Sequence, residues 1–285
     1  MIDIQKLTFG YPRKKRLFQD LTLTLTKGNI YGLLGRNGAG KSSLLKNIAG
    51  LLFPVSGLCT VDGFAAKDRH PDFLRNVFFI PEEFYLPPVA VKSFVRTYAP
   101  FYPAFSAEQF QGYLKELDIA GNQTLTQLSY GQKKKVLIGF GLATNTKLVL
   151  MDEPTNGLDI PSKSQFRKII ASAIDEERTV VISTHQVRDL ESLIDPVIIL
   201  DESEILLHAT VEQITERLCF KNLTQVEHPD RVLYSESSFR GLSAVMENTA
   251  HEPSKVDLEL LFNATLLNRE RIREIFRPQA SLQEK

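Results

Sequence analysis

Short apolar runs separated by amphipathic stretches occupy most of the first 200 residues. The runs are continuous rather than alternating, which predicts strands that are buried on both faces of a sheet. They lie at residues 30–34, 77–80, 148–151, 180–183 and 197–200. Residues 41–52 have Leu44, Leu45, Ile48 and Leu51 on one side, which predicts a helix. Strands alternating with helices indicate an α/β fold with a mainly parallel sheet.

Two segments near the start have a different pattern. Residues 2–9 and 21–25 alternate apolar and polar side chains, which predicts strands with one buried face, the first of them at a sheet edge. We therefore expect an antiparallel β edge beside the parallel sheet.

The alternation of strands and helices is interrupted twice. Residues 73–113 contain twelve of the 26 aromatic residues and five prolines, which predicts a helical insertion. Its aromatic residues could form the core of the insertion or a docking groove for a membrane subunit. Beyond residue 201, we predict a small strand–helix unit at 226–247, with its strand at 231–234 and its helix at 241–247. A linker at 248–255 and a terminal helix at 258–276 would follow.

Composition and charge exclude few classes of protein. The 285 residues carry equal numbers of basic and acidic side chains, so the net charge gives no reason to expect a nucleic-acid partner. No apolar run is long enough to span a bilayer, and the N-terminus lacks a signal-peptide pattern. Cys59 and Cys219 have no metal-binding spacing, so we expect reduced thiols in a cytoplasmic protein.

A phosphate-binding loop follows the first buried run. Its sequence, Gly-Arg-Asn-Gly-Ala-Gly-Lys-Ser over residues 35–42, lies between a predicted strand and a predicted helix, as the pattern requires. Backbone N–H groups and the helix N-terminus would surround phosphates, with Lys41 at the β- and γ-phosphates and the Ser42 hydroxyl on Mg²⁺. The predicted nucleotide-binding residues here are Gly35, Asn37, Gly38, Ala39, Gly40, Lys41, Ser42 and Ser43.

A pair of acidic residues ends another buried run. Asp152 follows four apolar residues, which places its carboxylate at the C-terminal end of a strand, where open parallel sheets bind ligands. We expect Asp152 to hold Mg²⁺ through water and Glu153 to orient and deprotonate the attacking water. The alternative is that these acids only cap a loop.

The segment Leu-Ser-Tyr-Gly-Gln at 128–132 lies between the phosphate loop and this acidic pair. It resembles the signature of ATP-binding-cassette (ABC) ATPases, and the motifs over residues 1–210 occur in that family's order. The resemblance implies a P-loop NTPase core over 1–210, with the helical insertion at about 82–140 and a small C-terminal α/β extension at 211–285. It also implies that Ser129, Gly131 and Gln132 contact ATP that is held by a second subunit.

Further site residues follow from the same resemblance. Tyr11 resembles the aromatic residue on which the adenine stacks, and Asp159 belongs to a segment that senses the other subunit's site. His185 resembles the switch histidine that contacts the γ-phosphate. Glu82 stands where the family commonly has glutamine, and it keeps an oxygen for Mg²⁺ or water. Tyr130 stands where the family more commonly has glycine. This predicts a different shape at the rim of the nucleotide site, with the chemistry of the signature unchanged.

Three consecutive lysines, Lys133, Lys134 and Lys135, follow the signature. They could contact phosphates or acidic lipid, but lysines that open a helix more often form a solvated face, which is our prediction.

The resemblance implies an Mg²⁺-dependent ATPase subunit of a membrane transporter. It would be a homodimer, or a heterodimer with a second ABC ATPase subunit, bound to transmembrane permease subunits on the cytoplasmic face of the membrane. The residues at 81–83 and the extension favour an exporter. The alternatives are a cassette ATPase that acts on ribosomes, nucleic acid or a scaffold, and a nucleotide-gated switch with little turnover. The extension either regulates closure or braces the dimer.

Overall fold

The computed structural model describes residues 1–13, 15–223, 229–239 and 241–277. Within these residues the strands are β1 Ile2–Phe9, β2 Phe18–Leu25, β3 Ile30–Leu34, β4 Ser56–Val61, β5 Phe64–Ala65, β6 Val77–Ile80, β7 Leu148–Asp152, β8 Thr179–Thr184, β9 Val197–Asp201, β10 Glu204–Ala209, β11 Leu218–Leu223, β12 Val232–Ser238 and β13 Gly241–Glu247. The α-helices there are α1 Lys41–Ile48, α2 Pro71–Leu74, α3 Val91–Tyr98, α4 Ala107–Glu116, α5 Tyr130–Ala143, α6 Ile160–Ala173, α7 Val211–Arg217, α8 Leu258–Leu267 and α9 Arg269–Phe276.

The central sheet has six strands in the order β10-β9-β3-β8-β7-β6, and only the edge strand β10 runs antiparallel to its neighbour. The inner strands β3, β7, β8 and β9 are buried along their whole length, which explains their continuous apolar sequences. Alternate residues still pack on opposite faces, with Val149 and Met151 in one hydrophobic cluster and Leu148 and Leu150 in another. The predicted mainly parallel sheet is confirmed.

An antiparallel sheet, in the order β2-β1-β4-β5, contributes to the second of these clusters. Strand β1 was predicted at a sheet edge, and this is wrong, because β1 pairs with β2 on one side and with β4 on the other. The alternation of apolar and polar residues does not reveal this. It shows which face of a strand is covered, whereas the backbone determines how many neighbouring strands pair with it. Helix α1 ends before the predicted residue 52, since Gly50 takes a left-handed φ of 66°.

The predicted helical insertion contains α3, α4 and α5, and its aromatic residues divide between core and surface. The ring of Phe140 has ring neighbours in Phe78, Phe94, Tyr102, Phe105 and Phe110, with centroid separations of 5.1 to 6.2 Å. Tyr85 and Phe101 are instead 81% and 66% exposed. Each of the two sequence interpretations therefore describes part of the cluster.

The segment after residue 210 begins with α7, which Thr210 caps. Its strands form a three-stranded antiparallel sheet in the order β11-β13-β12. Residues 241–247 were predicted as a helix, and they form β13 instead. The residues of Leu-Ser-Ala-Val-Met-Glu suit a helix, but β13 pairs with β11 on one side and β12 on the other, and this tertiary pairing prevails. The predicted linker at 248–255 joins β13 to α8 without regular structure. Residues 226–228, which begin the predicted strand–helix unit at 226–247, lie outside the described residues.

The predicted terminal helix at 258–276 is two helices. Asn268 breaks it with a φ of −127° and a ψ of 49°, and its side chain donates to the Leu233 carbonyl in β12. Helix α8 packs on β9, β10 and the turn at Val187–Asp189, while α9 packs on β10. Ion pairs join Arg269 to Asp201 and Arg188 to Glu259. The segment from 211 thus contacts one edge of the central sheet, and the domain boundary at 210 stays a prediction.

No helix in the described part of the chain is both long and apolar enough to cross a membrane.

We expect Phe140→Ala to lower the free energy of unfolding by about 3–5 kcal/mol, because the buried ring leaves a cavity between β6, α3 and α4. The measurement is the urea dependence of folding, followed by circular dichroism. Phe101→Ala is the matched control and should change stability by less than about 0.5 kcal/mol, since that ring is mostly exposed. Equal losses in the two variants would contradict the assigned core.

Candidate functional site

The phosphate loop joins the end of β3 at Leu34 to the start of α1 at Lys41. Gly40 precedes the helix with a φ of 108°, a conformation that side-chain-bearing residues rarely adopt. The ammonium group of Lys41 donates to the carbonyl oxygens of Gly35 (2.8 Å) and Arg36 (3.3 Å). The loop amides and this buried cation form a site for an anion.

Asp152 lies one strand away from the loop, because β8 separates β3 from β7 in the sheet. The parallel register places Asp152 beside Ser183, and the Ser183 hydroxyl donates to Asp152 Oδ1 at 2.5 Å. Both residues are buried. Ser183 was not predicted as a site residue, although its place at the end of the strand next to Asp152 is a signal for it.

Glu153 turns away from its strand with a left-handed φ of 45°. Its N–H donates to the carbonyl and the hydroxyl oxygen of Ser183, at 3.1 and 3.2 Å. Its carboxylate lies 2.8 Å from Nδ1 of His185 and 3.4 Å from Nζ of Lys41. Three residues that were predicted from separate motifs therefore meet at one carboxylate.

Glu82 follows β6, the strand on the far side of β7. Its Oε1 accepts a hydrogen bond from Nδ2 of Asn156 at 2.9 Å. The side chain therefore lies near the loop that follows Glu153, and it lines the same cleft as the phosphate loop.

Tyr11 lies at the other side of this cleft. Its hydroxyl group is 3.0 Å from Oγ of Ser43, and its ring meets the ring of Phe9 edge-on at 5.1 Å. Tyr11 is 39% exposed.

One cleft of about 500 Å³ brings most of these residues together. Three of its lining residues, Lys15, Leu17 and Arg36, were not predicted from sequence. Lys15 and Leu17 lie outside every motif, and Arg36 occupies a phosphate-loop position at which the pattern accepts any residue. The predicted residues that line it are Tyr11, Asn37, Gly38, Gly40, Lys41, Ser42, Ser43, Glu82, Glu153 and His185. Gly35, Ala39 and Asp152 are buried close behind this surface.

The signature segment forms the N-terminus of α5. The Ser129 hydroxyl accepts from the N–H of Gln132 at 3.2 Å, and the Gln132 side chain accepts from the N–H of Ser129 at 2.9 Å. This capping box fixes the first turn of the helix. Asp159 caps the neighbouring helix α6 through the N–H of Ser162, and these hydrogen bonds hold the pKa of its carboxyl below the usual value.

A second cleft, of about 650 Å³, is lined by Ser129, Gly131, Gln132 and Asp159. It shares no lining residue with the phosphate-loop cleft. The structure therefore separates the predicted nucleotide-binding residues of one chain into two groups.

The lysine run after the signature does not form the predicted solvated face. Lys134 is completely buried, and its ammonium group donates to the carbonyl oxygens of Glu153 (3.0 Å) and Asn156 (2.9 Å). Burial lowers the pKa of this lysine. Lys135 donates to the Leu117 carbonyl at 3.1 Å. The prediction failed because α5 is covered on several sides, so a polar residue there must bond inside the protein.

The oxygen atoms of the first cleft suit a magnesium ion that is also bound by phosphates. Mg²⁺ prefers hard oxygen ligands and is commonly held by one or two carboxylates together with substrate phosphates. The Ser42 hydroxyl and the carboxylates of Asp152 and Glu82 are such donors. Among the described residues no group of three or more His, Cys, Asp or Glu side chains could hold a metal by itself.

A phosphate loop and acidic strand ends at one edge of a parallel sheet define a P-loop nucleotide hydrolase. Within this class, the signature cleft indicates an ABC ATPase. Comparison with known proteins indicates the same family. The family model described as ABC transporter matches residues 18–156. An ABC transporter ATP-binding protein of Haemophilus influenzae is 32% identical over 213 residues, which cover 71% of this chain and 81% of that protein. The chain belongs to this family and is an ATPase.

Two further likenesses bear on the extension and the assembly. The linearmycin resistance ATP-binding protein LnrL of Bacillus subtilis is 26% identical over 265 residues, covering 91% of this chain and 84% of that protein. The dimeric structure of MJ0796, a bacterial ABC transporter cassette, has a TM-score of 0.65 and 25% identity, and covers 74% of this chain and 98% of that one. ABC cassettes of this kind dimerise and work with transmembrane subunits in transporters.

Proposed function

We propose that two such cassettes close head to tail on two ATP molecules and drive transport through separate transmembrane subunits. The observation that carries the proposal is the separation of the two clefts on one chain. Ser129 and Gly131 belong to the signature but lie away from the chain's own phosphate loop, so they need the ATP of a second chain. The dimeric structure of MJ0796 supports the pairing of two cassettes. The partner is a second copy or a sister ATPase.

The phosphate-loop cleft binds one ATP in this proposal. The loop amides from Gly35 to Ser43 and the ammonium group of Lys41 take the β- and γ-phosphates, and the adenine stacks on the ring of the partly exposed Tyr11. The Ser42 hydroxyl, Asp152 and Glu82 hold Mg²⁺, which neutralises phosphate charge when bound. Lys41 is 3.4 Å from Glu153, so turning its ammonium group toward the phosphates leaves that carboxylate to a water molecule.

Glu153 acts on that water as general base. The left-handed φ at Glu153 and the two hydrogen bonds from its N–H to Ser183 fix the direction of the side chain. His185 bonds the carboxylate through Nδ1, and its Nε2 remains for the γ-phosphate. The partner's signature supplies the Ser129 hydroxyl and the Gly131 N–H to the same phosphate. Hydrolysis removes the shared γ-phosphate, and the dimer opens.

A groove of about 580 Å³ supplies the docking surface for the membrane subunit. Residues after α1, the start of α2, strand β6 and the turn before α4 line it, and Phe101 and Leu51 within it are 66% and 46% exposed. Exposed aromatic side chains with arginines beside them, here Arg69 and Arg75, are typical of protein interfaces. We assign the groove to a short cytoplasmic helix of the permease, which places the chain at the cytoplasmic face of the membrane.

Export is the direction that we propose. The match to the linearmycin resistance protein, at 265 residues, is too long to fit within residues 1–210 and so includes most of the extension. Outward transport of an inhibitor is one way to produce resistance, and this likeness agrees with the direction that was expected from residues 81–83 and the extension.

We expect Glu153→Gln to bind ATP normally and to lose about 10²–10⁴-fold in hydrolysis, because the amide cannot take a proton from water. The variant should accumulate as an ATP-bound dimer, which size-exclusion chromatography with and without ATP would measure. Lys41→Ala is the contrasting variant, and it should lose nucleotide binding and remain monomeric. Near-normal turnover by Glu153→Gln would remove Glu153 from its proposed role.

We expect Ser129→Arg and Lys41→Ala to be inactive separately and to restore activity when the chains are mixed. Random pairing gives mixed dimers half of the time, and each has one intact site, so the rate should reach about a quarter of the wild-type rate. Steady-state hydrolysis at a fixed total protein concentration would measure this. Activity of Ser129→Arg alone would contradict the head-to-tail arrangement.

We expect Phe101→Glu to reduce co-purification of a polytopic membrane protein by about tenfold or more, because a charge replaces an aromatic contact in the groove. Phe239→Glu is the matched control, since Phe239 is a fully exposed aromatic residue in the β12–β13 turn. Basal ATPase activity should be equal in both variants. Recovery of the wild-type chain with ribosomes or nucleic acid, and with no membrane protein, would contradict transport.

A further inference from the structure

Tyr130, the unusual residue of the signature, contacts the segment that carries Glu82. Its hydroxyl group donates to the Glu82 carbonyl at 2.6 Å, and its ring stacks on Phe84 with a centroid separation of 5.1 Å and an interplanar angle of 24°. Glycine at this position would make neither contact. The first residue of α5 is therefore attached to the phosphate-loop cleft of its own chain.

Lys134 makes a second attachment, one helical turn further along the same face of α5. It bonds the carbonyl oxygens of Glu153 and Asn156, and its Nζ lies 5.6 Å from the centre of the Tyr130 ring. Asn156 in turn donates to the Glu82 side chain. Tyr130, Glu82, Asn156 and Lys134 thus form a closed network that joins α5 to both acidic loops of the cleft.

The Tyr130 ring and the Lys134 ammonium group both lie against the turn that follows Glu153. Gly157 takes a φ of 80°, and a Cβ atom there would lie 3.4 Å from the Tyr130 ring, so the ring covers this turn directly. A fully buried ammonium group is costly unless it is bonded, and Lys134 meets this requirement with backbone carbonyls on either side of the turn at 154–155. Movement of α5 would therefore move the backbone of Glu153 and Glu82.

We propose that Tyr130 and Lys134 are a positioning pair, by which α5 sets Glu82 and Glu153 in the chain's own ATP site while Ser129 and Gly131 contact the partner's ATP. This inference rests on the proposed head-to-tail dimer. Helix α5 then acts on both ATP sites of the dimer. Closure on the partner's ATP aligns the catalytic residues around the ATP of the chain itself. Tyr130 lines the signature cleft beside Ser129, but its hydroxyl group bonds the Glu82 carbonyl, so it acts on its own chain's site through Glu82. Lys134 acts through the loop of Glu153.

A mixed dimer separates action on the chain's own site from action on the partner's. One chain carries Glu153→Gln and is called the silent chain. The other is called the reporting chain, because single-turnover hydrolysis then comes only from ATP in its phosphate loop. Tyr130→Phe keeps the ring and removes the hydroxyl bond, and Lys134→Met keeps the length and removes the charge. Each substitution is placed in the reporting chain or in the silent chain.

We expect each substitution in the reporting chain to slow hydrolysis by about ten- to a hundredfold, as small displacements of catalytic groups do, with ATP affinity unchanged within about twofold. In the silent chain the same substitution should cost less than about threefold, because Ser129 and Gly131 still reach the reporting chain's ATP. Lys134→Arg, which keeps the charge, should retain more activity than Lys134→Met. Tyr85→Phe and Lys133→Met are neighbouring controls and should change little in either chain.

Equal loss in both chains, larger loss in the silent chain, or no loss in either would overturn the positioning pair. The dimer itself is tested separately, with Ser129→Arg placed in the silent chain. Abolished hydrolysis in the reporting chain supports the head-to-tail arrangement, and the asymmetry then tests Tyr130 and Lys134 alone. Unchanged hydrolysis with Ser129→Arg would overturn the proposed function itself.

Discussion

The parallel pairing of β3, β8 and β7 is the constraint on which the rest of the molecule depends. It brings three C-terminal strand ends to one sheet edge, so the phosphate loop, Asp152 and the segment before His185 become neighbours although they are far apart in sequence. The Ser183 hydroxyl completes the arrangement, since it donates to Asp152 and accepts from the backbone of Glu153. Three buried strands thus anchor the phosphate loop, which leads to Lys41, and the turn that carries Glu153.

Much of this arrangement follows from the sequence. Apolar runs locate the inner strands, because a strand buried on both faces must be apolar throughout, and each motif then falls at a strand end. The roles of Lys41, Ser42 and Glu153 can also be predicted from the sequence, because few structures other than nucleotide-binding sites require these residue types in this order. Burial on one face or two is visible in sequence, whereas the number of backbone neighbours is not, and this explains the misplaced edge at β1.

The failures beyond the motifs have a common physical origin. Residues 241–247 favour a helix locally, but pairing with two neighbours decides for β13. Lys134 lies in a run of three charges that suggests solvent exposure, yet the covered position on α5 determines its burial. Asn268 divides one amphipathic segment into two helices through a bond to a distant strand. In each case a contact outside the segment itself outweighs the segment's local preference, and the pattern of that segment does not reveal the contact.

The position of the extension at the β10 edge has an evolutionary consequence. Helices α8 and α9 contact β9, β10 and the turn after His185, whereas the groove assigned to the permease lies at the β6 edge, on the far side of the six-stranded sheet. The two surfaces therefore have no structural element in common. A lineage could exchange or lose the extension while keeping the same membrane partner, or change partner while keeping the extension, so the two features can be inherited as independent modules.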